Sequence, residues 1–327
     1  MIVSLREDAD QQSVKQELAA LGLWIAQVER SLGTGGIQLV VAAHSTVVDP
    51  RLVAQIAGVC SVSVPIPQHP QMDQQGPQVM VAGHAIGGSK VTLMCGPCSV
   101  ESPEQIDAIA ARLAPLGVSF LRGGAFKPRS SPYNFQGHGD PALAWMREAA
   151  TKHGLRVVTE VLSEHDVSAV AELADLIQIG SRNMQNFALL KRVGRVGKPV
   201  LLKRAMSATM EEWLLAGEYL LHHGSSGVVL CERGIRSFDP STRNLVDLTA
   251  VALLAHVHHL PVIVDPSHGT GRRDLILPLA RAALAAGAAG VMIETHDDPG
   301  RALSDGPQAL RGDELAAVLH ALKQVSP

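Results

Sequence analysis

Aromatic side chains are scarce in this chain: five Phe, two Tyr and three Trp make up 3% of 327 residues. A core must come instead from Ala, Val and Leu, a composition that suits short buried parallel strands covered by Ala- and Leu-rich helices. A large net charge is missing too. At −3 the chain has no basic field of the kind that holds nucleic acid through its phosphates, so any cations that matter must be concentrated locally. Only four cysteines occur, Cys60, Cys95, Cys98 and Cys231, and no apolar leader follows Met1. Both facts speak against a secreted disulfide framework and make a reducing cytoplasm the expected compartment. Apolar runs are broken by Gly, Pro or charge well short of the roughly 20 residues a membrane helix needs, so no membrane partner is expected. No Gly-x-Gly-x-x-Gly follows an early strand, which weakens a dinucleotide-binding reading, and no organic cofactor is expected.

What is present divides in two. Residues 1–66 read strand, helix, strand, strand, helix, strand, with "GTGG" as the turn between the middle strands; this βαββαβ order is that of a small ferredoxin-like α+β domain. Residues 67–75, "PQHPQMDQQ", show no periodicity and read as a linker. Residues 76–327 open with a hairpin and then alternate strictly. Apolar strands at "VTLMCG", "SFLRGG", "RVVTEV", "LIQIGS", "PVLLKRA", "GVVLCER", "PVIVDPS" and "GVMIETH" are separated almost throughout by helical stretches. Eight such units over roughly 230 residues are the expected size of a (β/α)8 TIM barrel.

Functional residues of a barrel gather at the C-terminal ends of its strands. Here those ends carry Cys98, then Arg122 with Lys127 and Arg129 in the following loop, Glu160, Ser181 with Arg182, Lys203 with Arg204, and Glu232 with Arg233. The seventh strand ends in Asp265 and His268, the eighth in Glu294 and His296, and Asp305 lies in the loop beyond. Cys98, His268, Glu294 and Asp305 supply a thiolate, an imidazole and two carboxylates. That set suits Mn2+, Fe2+, Co2+ or Zn2+ better than Mg2+ or Ca2+, which avoid sulfur. The cations Arg122, Lys127, Arg129, Arg182, Lys203 and Arg233 outnumber the acids Glu160, Glu232 and Asp265. The excess argues for phosphate or carboxylate ligands, with structural ion pairing as the plainer alternative.

Cys95-Gly-Pro-Cys98 has the spacing of a dithiol redox site, but Cys95 falls inside a strand and the next helix begins only near Ser102. Cys98 is therefore read as a metal ligand and Cys95 as strand filler. Cys60 and Cys231 read as small apolar strand residues. The His222–His223 pair and His256, His258 and His259 lie near helix ends and read as surface residues, and "HGTGRRD" reads as a turn that frees His268.

Seven segments taken in order are specific: "CGPCSVES", "LRGGAFKPRSSPYNFQG", "QIGSRNMQNFALL", "PVLLKRAMSATMEEWLLAGEYL", "LCERGIRSF", "DPSHGTGRRD" and "GVMIETH". Together they resemble the type I 3-deoxy-D-arabino-heptulosonate 7-phosphate (DAHP) synthases, and the N-terminal domain is similar to that of the β subgroup. The resemblance implies a metal-dependent homo-oligomer, dimer or tetramer, that condenses phosphoenolpyruvate with erythrose 4-phosphate, the first step towards aromatic amino acids. It places the metal on Cys98, His268, Glu294 and Asp305. It places phosphoenolpyruvate on Arg122, Lys127, Arg182, Lys203 and Arg233 beside Ser181, and the aldose phosphate on Arg129 and Ser130. Cys98, Lys127 and His268 stand nearest the chemistry. It also implies feedback control, with Tyr or Phe as the effector of the N-terminal domain. The rivals are 3-deoxy-D-manno-octulosonate 8-phosphate synthase, disfavoured because the loop reads "KPRSS" where that family has "KANRSS", and a non-catalytic barrel that senses an aromatic amino acid.

Overall fold

The computed structural model describes residues 1–30, 36–129 and 131–323, arranged as two compact units, Met1–Gln68 and His69–Pro327. In the first unit β1 (Ile2–Leu5), α1 (Gln11–Ala20), β2 (Ile25–Arg30), β3 (Ile37–Val41), α2 (Pro50–Ala54) and β4 (Val59–Ser63) follow one another. The four strands form one antiparallel sheet in the order β2-β3-β1-β4. Each helix starts where an Asp accepts from the backbone: Asp10 from Gln12 N at 3.0 Å, and Asp49 from Arg51 N at 2.9 Å with Pro50 behind it. Val14 and Leu18, one helical turn apart, turn inward with Val3, Leu5, Leu39 and Val59 to make the unit's core. Cys60 lies in edge strand β4, as its reading as a small strand residue expects, and is exposed because its neighbour Val59 takes the inward position. Of the expected "GTGG" turn, residues 33–35 lie outside the described residues.

The stretch expected to be a linker is partly helical. α3 (Pro70–Gln75) buries Met72 completely, and the Glu218 carboxylate accepts from Gln71 N at 3.0 Å and Met72 N at 2.9 Å. That carboxylate supplies the cap that His69 at the N-cap position does not. Tertiary partners thus make a helix too short to leave a period in the sequence. The expected hairpin follows as β5 (Val79–Val81) and β6 (His84–Ile86), turning at Ala82–Gly83 where both residues have positive φ.

Eight parallel strands then close into a barrel: β7 (Thr92–Gly96), β8 (Phe120–Arg122), β9 (Arg156–Val161), β10 (Leu176–Ile179), β11 (Val200–Lys203), β12 (Val228–Glu232), β13 (Val262–Val264) and β14 (Gly290–Glu294), the last pairing with the first. Around it lie α4 (Pro103–Leu113), α5 (Asp140–His153), α6 (Val167–Leu173), α7 (Phe187–Gly194), α8 (Met210–His222), α9 (Leu248–His256), α10 (Pro266–Thr270), α11 (Ile276–Ala285) and α12 (Gly312–Lys323). α10 takes in the first three residues of the expected "HGTGRRD" turn. Asp265 caps it through His268 N at 3.0 Å, and Gly271 ends it in the left-handed region at φ 68°.

One apolar side chain from each strand, Met94, Phe120, Val158, Leu176, Leu201, Val229, Ile263 and Met292, fills the barrel interior, joined by Val79, Val81 and Ile86 of the hairpin. Their sequence neighbours Leu121, Val157, Ile177, Leu202, Leu230, Val264 and Ile293 face the helices, as strands buried on both faces require. Cys95 belongs to this outer layer and Cys231 to the inner one; burial pushes both thiols up to about 12. No helix among the described residues is long and apolar enough to cross a membrane.

Candidate active site and metal centre

Because side chains alternate along a strand, the residue two positions past each interior apolar one also points inward, one layer nearer the C-terminal rim. That step leads from Phe120 to Arg122, Val158 to Glu160, Leu201 to Lys203, Ile263 to Asp265 and Met292 to Glu294, and four residues on from Met94 it reaches Cys98. The rim is polar because period two carries the same strands up out of the apolar layer. β7 and β8 approach closely there: a Cβ on Gly96 would lie 1.9 Å from Arg122 O.

Cys98, His268, Glu294 and Asp305 meet, with one ligand atom from each lying within 4.8 Å of the others. Cys98 Sγ donates to Asp305 Oδ2 at 3.4 Å, and His268 Nε2 lies 3.2 Å from Glu294 Oε1. The other imidazole nitrogen, Nδ1, meets Asp265 Oδ2 at 2.7 Å, which fixes the ring and leaves Nε2 for the cluster. Thiol, imidazole and two carboxylates at this separation fit a divalent transition ion. Burial, reinforced by the nearby Glu294 charge, pushes the Cys98 thiol up to about 11. Burial would also raise Glu294, but His268 and Arg122 more than offset it and hold its carboxyl below the usual range. Asp305 is lowered in the same way, burial being outweighed by His268 and Arg243. Asp265 is held well below the aspartate range because His268 and Lys203 overcome its complete burial.

The expected cations split into two groups. Arg122 Nη1 donates to Glu294 Oε1 at 2.8 Å, Lys203 Nζ to Asp265 Oδ2 at 2.6 Å, and Lys127 Nζ to Cys98 Sγ at 3.0 Å, so these three already compensate the four-residue cluster and the Asp265 beside it. Arg129, Arg182 and Arg233 form no ion pair among the described residues. The buried side-chain polar atoms without a partner, among the described residues, are Arg122 Nε, Arg129 Nη2, Ser181 Oγ, Arg233 Nη1 and Gln308 Oε1. Four of them belong to expected substrate residues, and buried donors without acceptors are costly unless a ligand supplies the acceptor. Lys127, Arg129, Ser181, Arg182, Lys203, Arg233, His268 and Asp305 all line one cavity of about 500 Å³. Ser130 lies outside the described residues.

Other strand-end charges prove structural. Arg204 Nη1 bonds Asp247 at 2.9 Å and Glu232 at 3.4 Å, and its guanidinium stands 5.6 Å from the Trp213 ring. Sequence reading missed Arg236 and Arg243, which line the same cavity from the loop after β12; Arg243 Nη2 lies 3.4 Å from Asp305 Oδ1. It also missed Gln308, whose Nε2 donates to Glu294 Oε2 in a short contact. Arg243 and Gln308 sit more than ten residues beyond a strand end, where no period marks them, whereas Arg236 lies only four residues past β12, within "LCERGIRSF".

Residues 70–327 match the model of the DAHP synthetase I family. A Thermotoga maritima protein named phospho-2-dehydro-3-deoxyheptonate aldolase is 51% identical over 241 residues, covering 74% of this chain and 71% of the relative. An Acidithiobacillus ferrooxidans 2-dehydro-3-deoxyphosphooctonate aldolase is 33% identical over 255 residues, covering 71% of this chain and 88% of that protein. The crystal structure of a Thermotoga maritima DAHP synthase superposes with a TM-score of 0.78 at 40% identity, covering 99% of this chain and 96% of that one. A truncated form of a Thermotoga maritima 3-deoxy-D-arabino-heptulosonate 7-phosphate synthase gives 0.71 at 46% identity, covering 77% and 92%. On the family match and the 51% identical relative, the chain belongs to the DAHP synthetase I family.

Proposed function

We propose that the barrel condenses phosphoenolpyruvate with D-erythrose 4-phosphate and water to give DAHP and phosphate, the first step of the shikimate pathway to aromatic amino acids, in the cytoplasm. The observation that carries this reading is the convergence of partnerless buried donors from Arg122, Ser181 and Arg233 beside a four-residue metal-ligand cluster. Two phosphate monoesters and one carboxylate bring roughly −4 to −5 into the site. Arg122, Lys127, Arg182, Lys203 and Arg233, with Ser181, hold phosphoenolpyruvate, and Arg129 with Ser130 takes the aldose phosphate.

The chain's own part is positioning and charge compensation. Phosphoenolpyruvate offers C3 as the nucleophile to the aldehyde carbon, water adds at C2, and phosphate departs with C–O cleavage. Fixing both anions in one 500 Å³ cavity overcomes their mutual repulsion. A divalent ion (Mn2+, Fe2+, Co2+ or Zn2+) held by Cys98, His268, Glu294 and Asp305 would supply Lewis acidity at the aldehyde oxygen. Asp265 keeps His268 in the right tautomer, and Lys127, 3.0 Å from Cys98 Sγ, links the ligand cluster to the substrate cations.

The first unit, with βαββαβ order and β2-β3-β1-β4 sheet, supports the ferredoxin-like, β-subgroup reading. We assign it feedback control by Tyr or Phe in a homo-oligomer, dimer or tetramer. A chain beginning at His69 should keep turnover and lose inhibition; full inhibition of that truncated chain counts against the assignment. The relatives named for the octulosonate reaction make the acceptor the point to test. Phosphoenolpyruvate consumption should be fast with erythrose 4-phosphate and negligible with a pentose 5-phosphate, and the opposite order would replace this function by the sister reaction.

A further inference from the structure

Gln308 is 1% exposed, in the loop between β14 and α12, with no part in substrate or metal binding assigned above. Its Nε2 donates to Glu294 Oε2, while its Oε1 is buried without a partner among the described residues. The amide has only one workable orientation: turned over, Oε1 would face a carboxylate oxygen, and two acceptors cannot bond. A residue needed only to fill space would be apolar here, since that would remove the unsatisfied oxygen. The backbone of Gln308 is committed as well, its N–H donating to Asp305 O at 3.3 Å. One residue therefore touches two of the four ligands, Glu294 through its side chain and Asp305 through its main chain.

The second oxygen of Glu294 shows what this contact selects. Oε1 receives Arg122 Nη1 at 2.8 Å and lies 3.2 Å from His268 Nε2, so it is the oxygen on the side of the other ligands. We propose that Gln308 is a positioning residue of the metal centre: it holds Glu294 Oε2 aside so that Oε1 alone is presented to the ion, and it ties the Asp305 turn to the same carboxylate. This inference rests on the metal reading of the site.

The test uses the full chain stripped of metal, with Co2+ as the probe, its dissociation constant read by competition with a chromophoric chelator. Gln308→Met and Gln308→Leu remove the amide at similar volume. Each should weaken Co2+ binding on the order of 10- to 100-fold, the usual loss when a ligand's support is removed. Thermal unfolding of the metal-free chain should stay unchanged, and excess Co2+ should restore turnover. Because Gln308 acts through Glu294, adding Gln308→Met to Glu294→Gln should weaken binding no further. Wild-type affinity in both variants, or effects that simply add in that cycle, would overturn the proposal. Loss of the metal-free fold in both variants would mark Gln308 as structural and overturn it equally. A wild-type chain that takes up no Co2+ would remove the metal reading and this inference with it, whereas unchanged variants of a Co2+-binding wild type remove this inference alone.

Discussion

Asp265→Asn removes one charge and almost no volume from the point where Lys203 and His268 meet. The carboxylate is fully buried; Oδ2 takes Lys203 Nζ at 2.6 Å and His268 Nδ1 at 2.7 Å, and Oδ1 takes His268 N at 3.0 Å. An amide offers one acceptor oxygen, and its NH2 faces donors. Lys203, itself buried, is left without a counter-ion, and losing one partner of such a pair costs about 3–5 kcal/mol, against a total stability of about 5–15 kcal/mol. The sign with pH follows from the depressed aspartate: its stabilisation is present above the unfolded value of about 3.9 and is lost as pH falls towards the folded one. The asparagine variant has no such term. Urea unfolding at pH 7 should therefore separate the two chains widely, and the gap should narrow in acid. A gap below about 1 kcal/mol at pH 7, or one that widens on acidification, would show that Asp265 does not carry this load.

Three further outcomes are expected. Cys98→Ser should abolish divalent-ion binding, measured by equilibrium dialysis, whereas Cys95→Ala, in the outer layer, should leave it intact; the reverse would revive a dithiol role. With the Cys98 thiol raised to about 11 by burial and Glu294, ion uptake at pH 7 should release about one proton per chain, and affinity should rise about tenfold per pH unit. A pH-independent affinity would contradict thiolate ligation. Arg233→Gln removes a buried donor that lacks a partner among the described residues, so thermal stability should hold or rise while the KM for phosphoenolpyruvate climbs by roughly 10- to 100-fold, as loss of a charged hydrogen bond implies. A fall in stability with unchanged KM would make Arg233 structural.

The barrel and most of its site were legible because both follow from one rule. Strand periodicity sets Phe120 and Arg122, or Met292 and Glu294, on the same side of the sheet, so reading strand ends also reads the rim. The rule fails where position depends on partners far away in sequence. α3 forms because Glu218, nearly 150 residues on, caps it. Arg204 stands at a strand end beside Lys203, and only the fold reveals that Asp247, over 40 residues on, and Glu232 compensate it. Gln308 and Arg243 reach the site from aperiodic loops, and "PSHGT" folds into a short helix because Asp265 is both cap and histidine partner.

Turnover of phosphoenolpyruvate with erythrose 4-phosphate by the metal-stripped chain, before and after Mn2+ is added back, tests the central claim most directly. Phosphate release should be absent without the ion, appear on its addition and vanish again with chelator. Equal turnover in the stripped and reloaded chain, or none in either, would contradict a metal-dependent condensation at this site.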